Sequence, residues 1–156
     1  MGEPVTIGTT SSRDALRGAG LRVTLPRGAV LDSVRADPHA DVESLTRAAR
    51  DRLGSVSVQA VYDVLRVLSE ARLIRRVEPA GSPARYEIER GDNHHHLTCR
   101  TCGVLVDVPC ATGEPPCVQP PSVHGFTLHE AEIIYWGQCP ACQNNTAQTT
   151  TRGEMT

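Results

Sequence analysis

The chain has 156 residues, 39% of them apolar and 22% charged, with a formal net charge of −2. That length and balance fit one or two small globular domains and exclude a collagen, a coiled coil and a wholly unfolded chain. No apolar run reaches the roughly eighteen residues of a membrane span. The first twenty residues also lack the apolar core of a secretion signal, so a cytoplasmic protein without membrane contact is expected.

In chain order, residues 1–12 read as a flexible lead-in. Thr24 ahead of Pro26 marks a helix start, with proline in the first turn; Val30, Leu31 and Val34 share one face until Asp37-Pro38 ends the helix. A second helix is expected over 42–53, capped by Asp41, stopped by Gly54 and burying Val42, Leu45, Ala49 and Leu53. A third begins at Ser55 or Ser57. Its apolar stripe is Val58, Val61, Leu65 and Leu68, which turns Gln59, Tyr62, Asp63 and Arg66 toward another surface. Two short strands, 73–77 and 84–88, follow around a Pro/Gly/Ser turn. Helices followed by a hairpin give the order of a winged helix-turn-helix.

Periodicity alone is equally consistent with a small helical domain that has an ordinary polar face. Particular residues point toward DNA. Gln59 can read adenine and Tyr62 can touch a thymine methyl. Arg13, Arg17, Arg22 and Arg27 lie before or at the opening of the first long helix and suit phosphate or minor-groove contacts. Residues 1–91 hold 14 arginines against 12 acidic residues, whereas 92–156 hold 2 against 6, so the halves differ in sign. A surplus of +2 is weak for DNA binding and calls for two copies side by side. All sixteen basic residues are arginine, a bias of the genome as much as of function.

All six cysteines and five of six histidines lie between His94 and Cys142. Cys99-x-x-Cys102 and Cys139-x-x-Cys142 are two knuckles 36 residues apart, able to supply the four thiolates of a closed structural zinc site. The intervening insertion must leave and return as strands. A redox dithiol or a disulfide would be the competing chemistries; two separate pairs and a cytosolic setting oppose them. The segment entering the first knuckle reads as a strand, on which His94 and His96 share a face while His95 points away. Asp107 sits on the next expected strand and can add a carboxylate. His39, alone before a helix, reads locally as a surface residue.

Three separated motifs, DNHHHLTCRTCG, YWGQCPAC and GLRVTLPR followed by VSVQAVYDVL, together resemble the ferric uptake regulator (Fur) family of bacterial metal- and peroxide-responsive repressors. The resemblance covers about Arg13 to Cys142 and is greatest toward the actinobacterial catalase-regulating branch. It implies an α+β protein: a winged-helix DNA-binding domain over 13–88, a hinge at 89–93, an α/β dimerisation domain over 94–142 with a four-cysteine zinc site, and a disordered tail over 143–156. It implies a homodimer on double-stranded operator DNA, with no small-molecule substrate. Structural Zn(II) falls on Cys99, Cys102, Cys139 and Cys142, and a regulatory Fe(II) or Mn(II) on His39, Glu87, His94, His96 and Asp107. Of the residues read above as facing DNA, Arg13, Arg22, Arg27, Gln59 and Tyr62, the resemblance carries over Tyr62.

Several positions depart from the family pattern. Ala60 and Asp63 replace the Thr and Arg that commonly flank the recognition-helix tyrosine. Asn93 replaces a histidine used by a further metal site in some members, for which His95, Glu114 and His129 would be substitutes. Asp107 matches the peroxide-sensing members, whereas Glu87 is the longer acid where such sensors often carry aspartate. Cys110 and Cys117 belong to neither knuckle. The alternatives are an iron- or zinc-uptake repressor of the same family and, from other classes, a zinc-stabilised interaction module or a small metalloenzyme. Against an enzyme, no nucleophile is paired with an obvious base.

Overall fold

The structure is a computed structural model that describes residues 10–113, 117–129 and 131–144. The chain divides into two compact units, residues 1–92 and 93–156.

In the first unit, α1 (Ser12–Gly18) is followed by α2 (Leu25–Ala36), β1 (Ala40–Asp41), α3 (Val42–Leu53), α4 (Val58–Glu70), β2 (Ile74–Val77) and β3 (Arg85–Ile88). Each helix starts where a side-chain oxygen meets an otherwise unpaired backbone N–H. Ser11 accepts from Asp14, Thr24 from Arg27, Asp41 from Ser44 and Ser57 from Ala60. Gly54 ends α3 at φ 82°, a left-handed conformation that favours glycine. The helices bury Leu16, Val30, Leu31, Val34, Leu45, Ala49, Val61, Leu65 and Leu68 in one core with Ile74 and Tyr86 from the sheet. The sheet order is β1-β3-β2, antiparallel throughout, and its two longer strands form the wing.

Three expectations are corrected and one element is added. Ser12, read as part of the flexible lead-in, is buried in α1, where it donates to Asp32 and accepts from Arg35 Nη1 at 2.9 Å. Val58, read as core, is 46% exposed because it stands at the first position of α4 and lines an open groove beside α3. Leu53, at the last position of α3, is only half-buried. The two-residue strand β1 has no counterpart in the sequence reading; it is too short to show alternation.

In the second unit, β4 (His94–Cys99) is central in a three-stranded sheet. It runs antiparallel to β5 (Leu105–Pro109) and parallel to β6 (Ile134–Gly137). The long insertion therefore leaves the first knuckle along β5 and returns to the second along β6. A short helical segment at 140–144 begins within the second knuckle and includes Cys142, so Gln143 and Asn144 are helical rather than tail. Residues 145–156 and Glu114 lie outside the described residues. Among the described residues, no helix is long and apolar enough to cross a membrane.

Candidate metal centres and nucleic-acid interface

Strand β4 delivers Cys99 at its end, and the chain then turns through Cys102 and Gly103, the glycine at φ 72°. The turn closes with Gly103 N donating to Cys99 O at 2.9 Å and Cys99 N donating to Val104 O at 3.0 Å. Arg100 N donates to Gly137 O at 2.8 Å, which brings the second knuckle alongside the first. The four sulfurs of Cys99, Cys102, Cys139 and Cys142 lie within 4.8 Å of one another, and Cys102 Sγ is 3.7 Å from Cys139 Sγ. A tetrahedral zinc with Zn–S of about 2.3 Å requires sulfurs about 3.8 Å apart, so the cluster has the size and donor chemistry of structural zinc.

The thiols are also electrostatically prepared. Backbone N–H groups of Cys139, Cys102 and Thr101 face Cys99, the first at 3.3 Å, and lower its pKa from 9 to about 5. Cys142 is pushed up to about 12, chiefly because it donates to Cys139. A coordinated divalent cation deprotonates its thiol ligands outright, so with zinc bound all four sulfurs would serve as thiolates. The Arg100 guanidinium lies 4.8 Å over the Trp136 ring.

Two His/carboxylate sets stand in the two units. In the first, pairing of β1 with β3 sets Ala40 opposite Tyr86. His39, at φ 66°, donates its backbone N–H to Tyr86 O at 2.9 Å, and its Nε2 lies 2.9 Å from Glu87 Oε2. Glu87 is 3% exposed. In the second unit, His96 is opposite Asp107 across β4 and β5. Asp107 Oδ1 lies 3.5 Å from His96 Nε2 and 3.9 Å from His94 Nε2, and the two rings are 5.0 Å apart edge to face. Both sets offer nitrogen and oxygen without sulfur, a donor chemistry suited to Fe(II) or Mn(II) more than to a thiophilic ion. His95 points to the opposite side of β4, as strand alternation predicts.

The outward face of α4 carries Gln59, Tyr62, Asp63 and Arg66, all exposed. Gln59 Nε2 donates to Asp63 Oδ1 at 3.2 Å, and Arg66 Nη1 is 2.9 Å from Glu70 Oε1. A groove between this face and the wing is lined by Tyr62, Arg66, Arg76 and Tyr86. Arg13 and Arg22 are exposed, whereas Arg27 is half-buried and its Nη1 donates to Arg22 O at 2.9 Å. His129 is exposed and joins none of the clusters found among the described residues.

A winged helix linked to a sheet domain with a four-cysteine cluster defines a metal-responsive transcriptional regulator. Residues 18–136 match the ferric uptake regulator family, and the chain belongs to it. It is 57% identical over 129 residues to transcriptional regulator FurA of Mycobacterium tuberculosis, covering 83% of this chain and 88% of that protein. Among solved structures, the ferric uptake regulator of Pseudomonas aeruginosa with manganese superimposes with a TM-score of 0.66 at 26% identity, covering 84% of this chain and 99% of that one. The Vibrio cholerae ferric uptake regulator gives 0.65 at 27% identity, covering 81% and 98%.

Proposed function

We propose that this protein is a metal-dependent repressor that binds double-stranded operator DNA as a homodimer, senses peroxide and controls defence genes of the catalase-peroxidase type. The observation that carries the reading is the convergence of His94 and His96 on Asp107 Oδ1, together with the His39–Glu87 pair in the winged-helix unit. These five residues are assigned to one regulatory Fe(II) or Mn(II), and the four knuckle cysteines to Zn(II). Because the five ligands come from both units, an ion that takes all of them favours one relative arrangement and shifts the population toward the DNA-binding state. Such a protein acts where the chromosome is, in the cytoplasm.

Bound Fe(II) supplies the chemistry of peroxide reduction. The chain's own residues present imidazole rings as the acceptor: one H2O2 converts a ring C–H to the 2-oxo form and leaves as water. Homodimerisation is supported by the outer face of the second unit. There Val106, Leu97 and Tyr135 form a row across β5, β4 and β6 and are 50%, 43% and 48% exposed. The surplus of arginine in residues 1–91 supports DNA binding by two copies acting together.

An iron-uptake repressor is the second reading, favoured by Glu87, the longer acid, in the first His/carboxylate set. A mobility shift on the DNA upstream of this gene and its neighbour, run without metal and with Fe(II), Mn(II) or Zn(II), tests repressor function. A metal-dependent shift is expected; no shift in any metal state favours a zinc-stabilised interaction module.

A further inference from the structure

On the face of β4 opposite His94 and His96, a third donor cluster stands apart from both sites above. His95 is 3% exposed, and its Nε2 lies 3.2 Å from Cys117 Sγ. Cys110, one residue past the end of β5, completes the group: the three donor atoms lie within 4.8 Å of one another. The sulfur of Cys110 is also 3.2 Å from Thr112 Oγ1. The His95 ring packs edge to face on Tyr135 at 6.3 Å, and its buried Nδ1 has no hydrogen-bond partner among the described residues. The ring is thus fixed by packing, with Nε2 directed at sulfur.

We propose that His95, Cys110 and Cys117 form an additional cation site for a thiophilic ion, Zn(II) foremost, with water as the fourth ligand. Two thiolates and one imidazole select zinc or another soft ion over Mn(II), and in the single chain both cysteines are half-buried, which leaves room for a fourth ligand. An N–Zn–S angle near tetrahedral places nitrogen and sulfur about 3.5 Å apart for the usual Zn–N and Zn–S lengths, close to the spacing seen here. Binding would displace thiol protons to solvent. The assignment does not depend on the regulatory set, which contains no sulfur.

The test uses the full chain, reduced, anaerobic and carrying one equivalent of zinc, titrated with Co(II). Thiolate-to-cobalt charge-transfer absorption reports sulfur ligands alone, so Co(II) in the His/carboxylate set is silent in that band. The wild type is expected to develop the band to one equivalent and to lose it when further Zn(II) is added. The Cys110→Ser/Cys117→Ser variant is expected to lose the band while retaining its zinc, and His95→Gln to bind Co(II) at least tenfold more weakly. Absence of the band in the wild type, an undiminished band in the double variant, or unchanged affinity in His95→Gln would overturn the proposal.

Discussion

His39 Nε2 lies 2.9 Å from Glu87 Oε2 across 48 residues of sequence. The contact exists because a two-residue strand pairs with the wing: His39 N is held by Tyr86 O, and Arg85 Nη1 reaches His39 O at 3.3 Å. Backbone hydrogen bonds thus position the imidazole, and the side chains need only meet.

If this pair belongs to the regulatory site, Glu87→Gln preserves the shape of the side chain and removes its charge. Mn(II) affinity is expected to fall by about tenfold or more, roughly 1.4 kcal/mol. Calorimetric titration with zinc already in place measures it, and unchanged affinity removes Glu87 from the ligand set.

Cys102→Ser deprives the knuckle cluster of one of four thiolates. Bound zinc is expected to fall by one equivalent, with loss of cooperative melting in the second unit, because the cluster joins β4 to the segment after β6. Metal analysis and calorimetry read the two effects; full zinc content in this variant would contradict the assignment.

Asp41 caps α3, and its pKa lies below 3.8 chiefly because its carboxylate accepts the Ser44 N–H, at 2.9 Å. A folded-state pKa below the unfolded one gives stability that is present above the unfolded value and is lost as pH falls through the folded value. Asp41→Ala should cost about 1 kcal/mol at neutral pH. Urea unfolding followed by helical circular dichroism should show the gap between wild type and variant closing below about pH 4; a gap that widens in acid contradicts the cap.

Asp63 puts a negative charge on the outward face of α4 and engages the Gln59 amide. Asp63→Asn removes a charge that opposes phosphate and loosens its hold on Gln59. Operator affinity is expected to rise about fivefold, roughly 1 kcal/mol, in fluorescence anisotropy at fixed salt; lower affinity would mean that Asp63 itself contacts the DNA.

Much of the winged helix was legible because its signals are local: Thr24, Asp41 and Ser57 each cap a helix, and Val61, Leu65 and Leu68 keep a 3.6-residue period. The knuckle cluster was legible for the same reason, since each knuckle brings two thiols together within four residues. His39 was not legible from its neighbours, because its partner arrives only through β1–β3 pairing; family resemblance alone singled it out. The seven-residue α1 gave too short a pattern to read, although Ser11 followed by Asp14 was a usable start signal. Grouping His95 with Cys110 and Cys117 required the register of β4 on β5 and a contact between residues 22 apart in sequence.

The His/carboxylate set is proposed both to gate DNA binding and to be the target of peroxide. The decisive measurement treats the Fe(II)- and Mn(II)-loaded protein with hydrogen peroxide, then follows operator binding and peptide mass spectra on the same samples. The account predicts that the Fe(II) form loses operator binding as one oxygen is added to His39 or His94, while the Mn(II) form keeps both its mass and its DNA. Loss of DNA binding by an unmodified Fe(II) protein would contradict it.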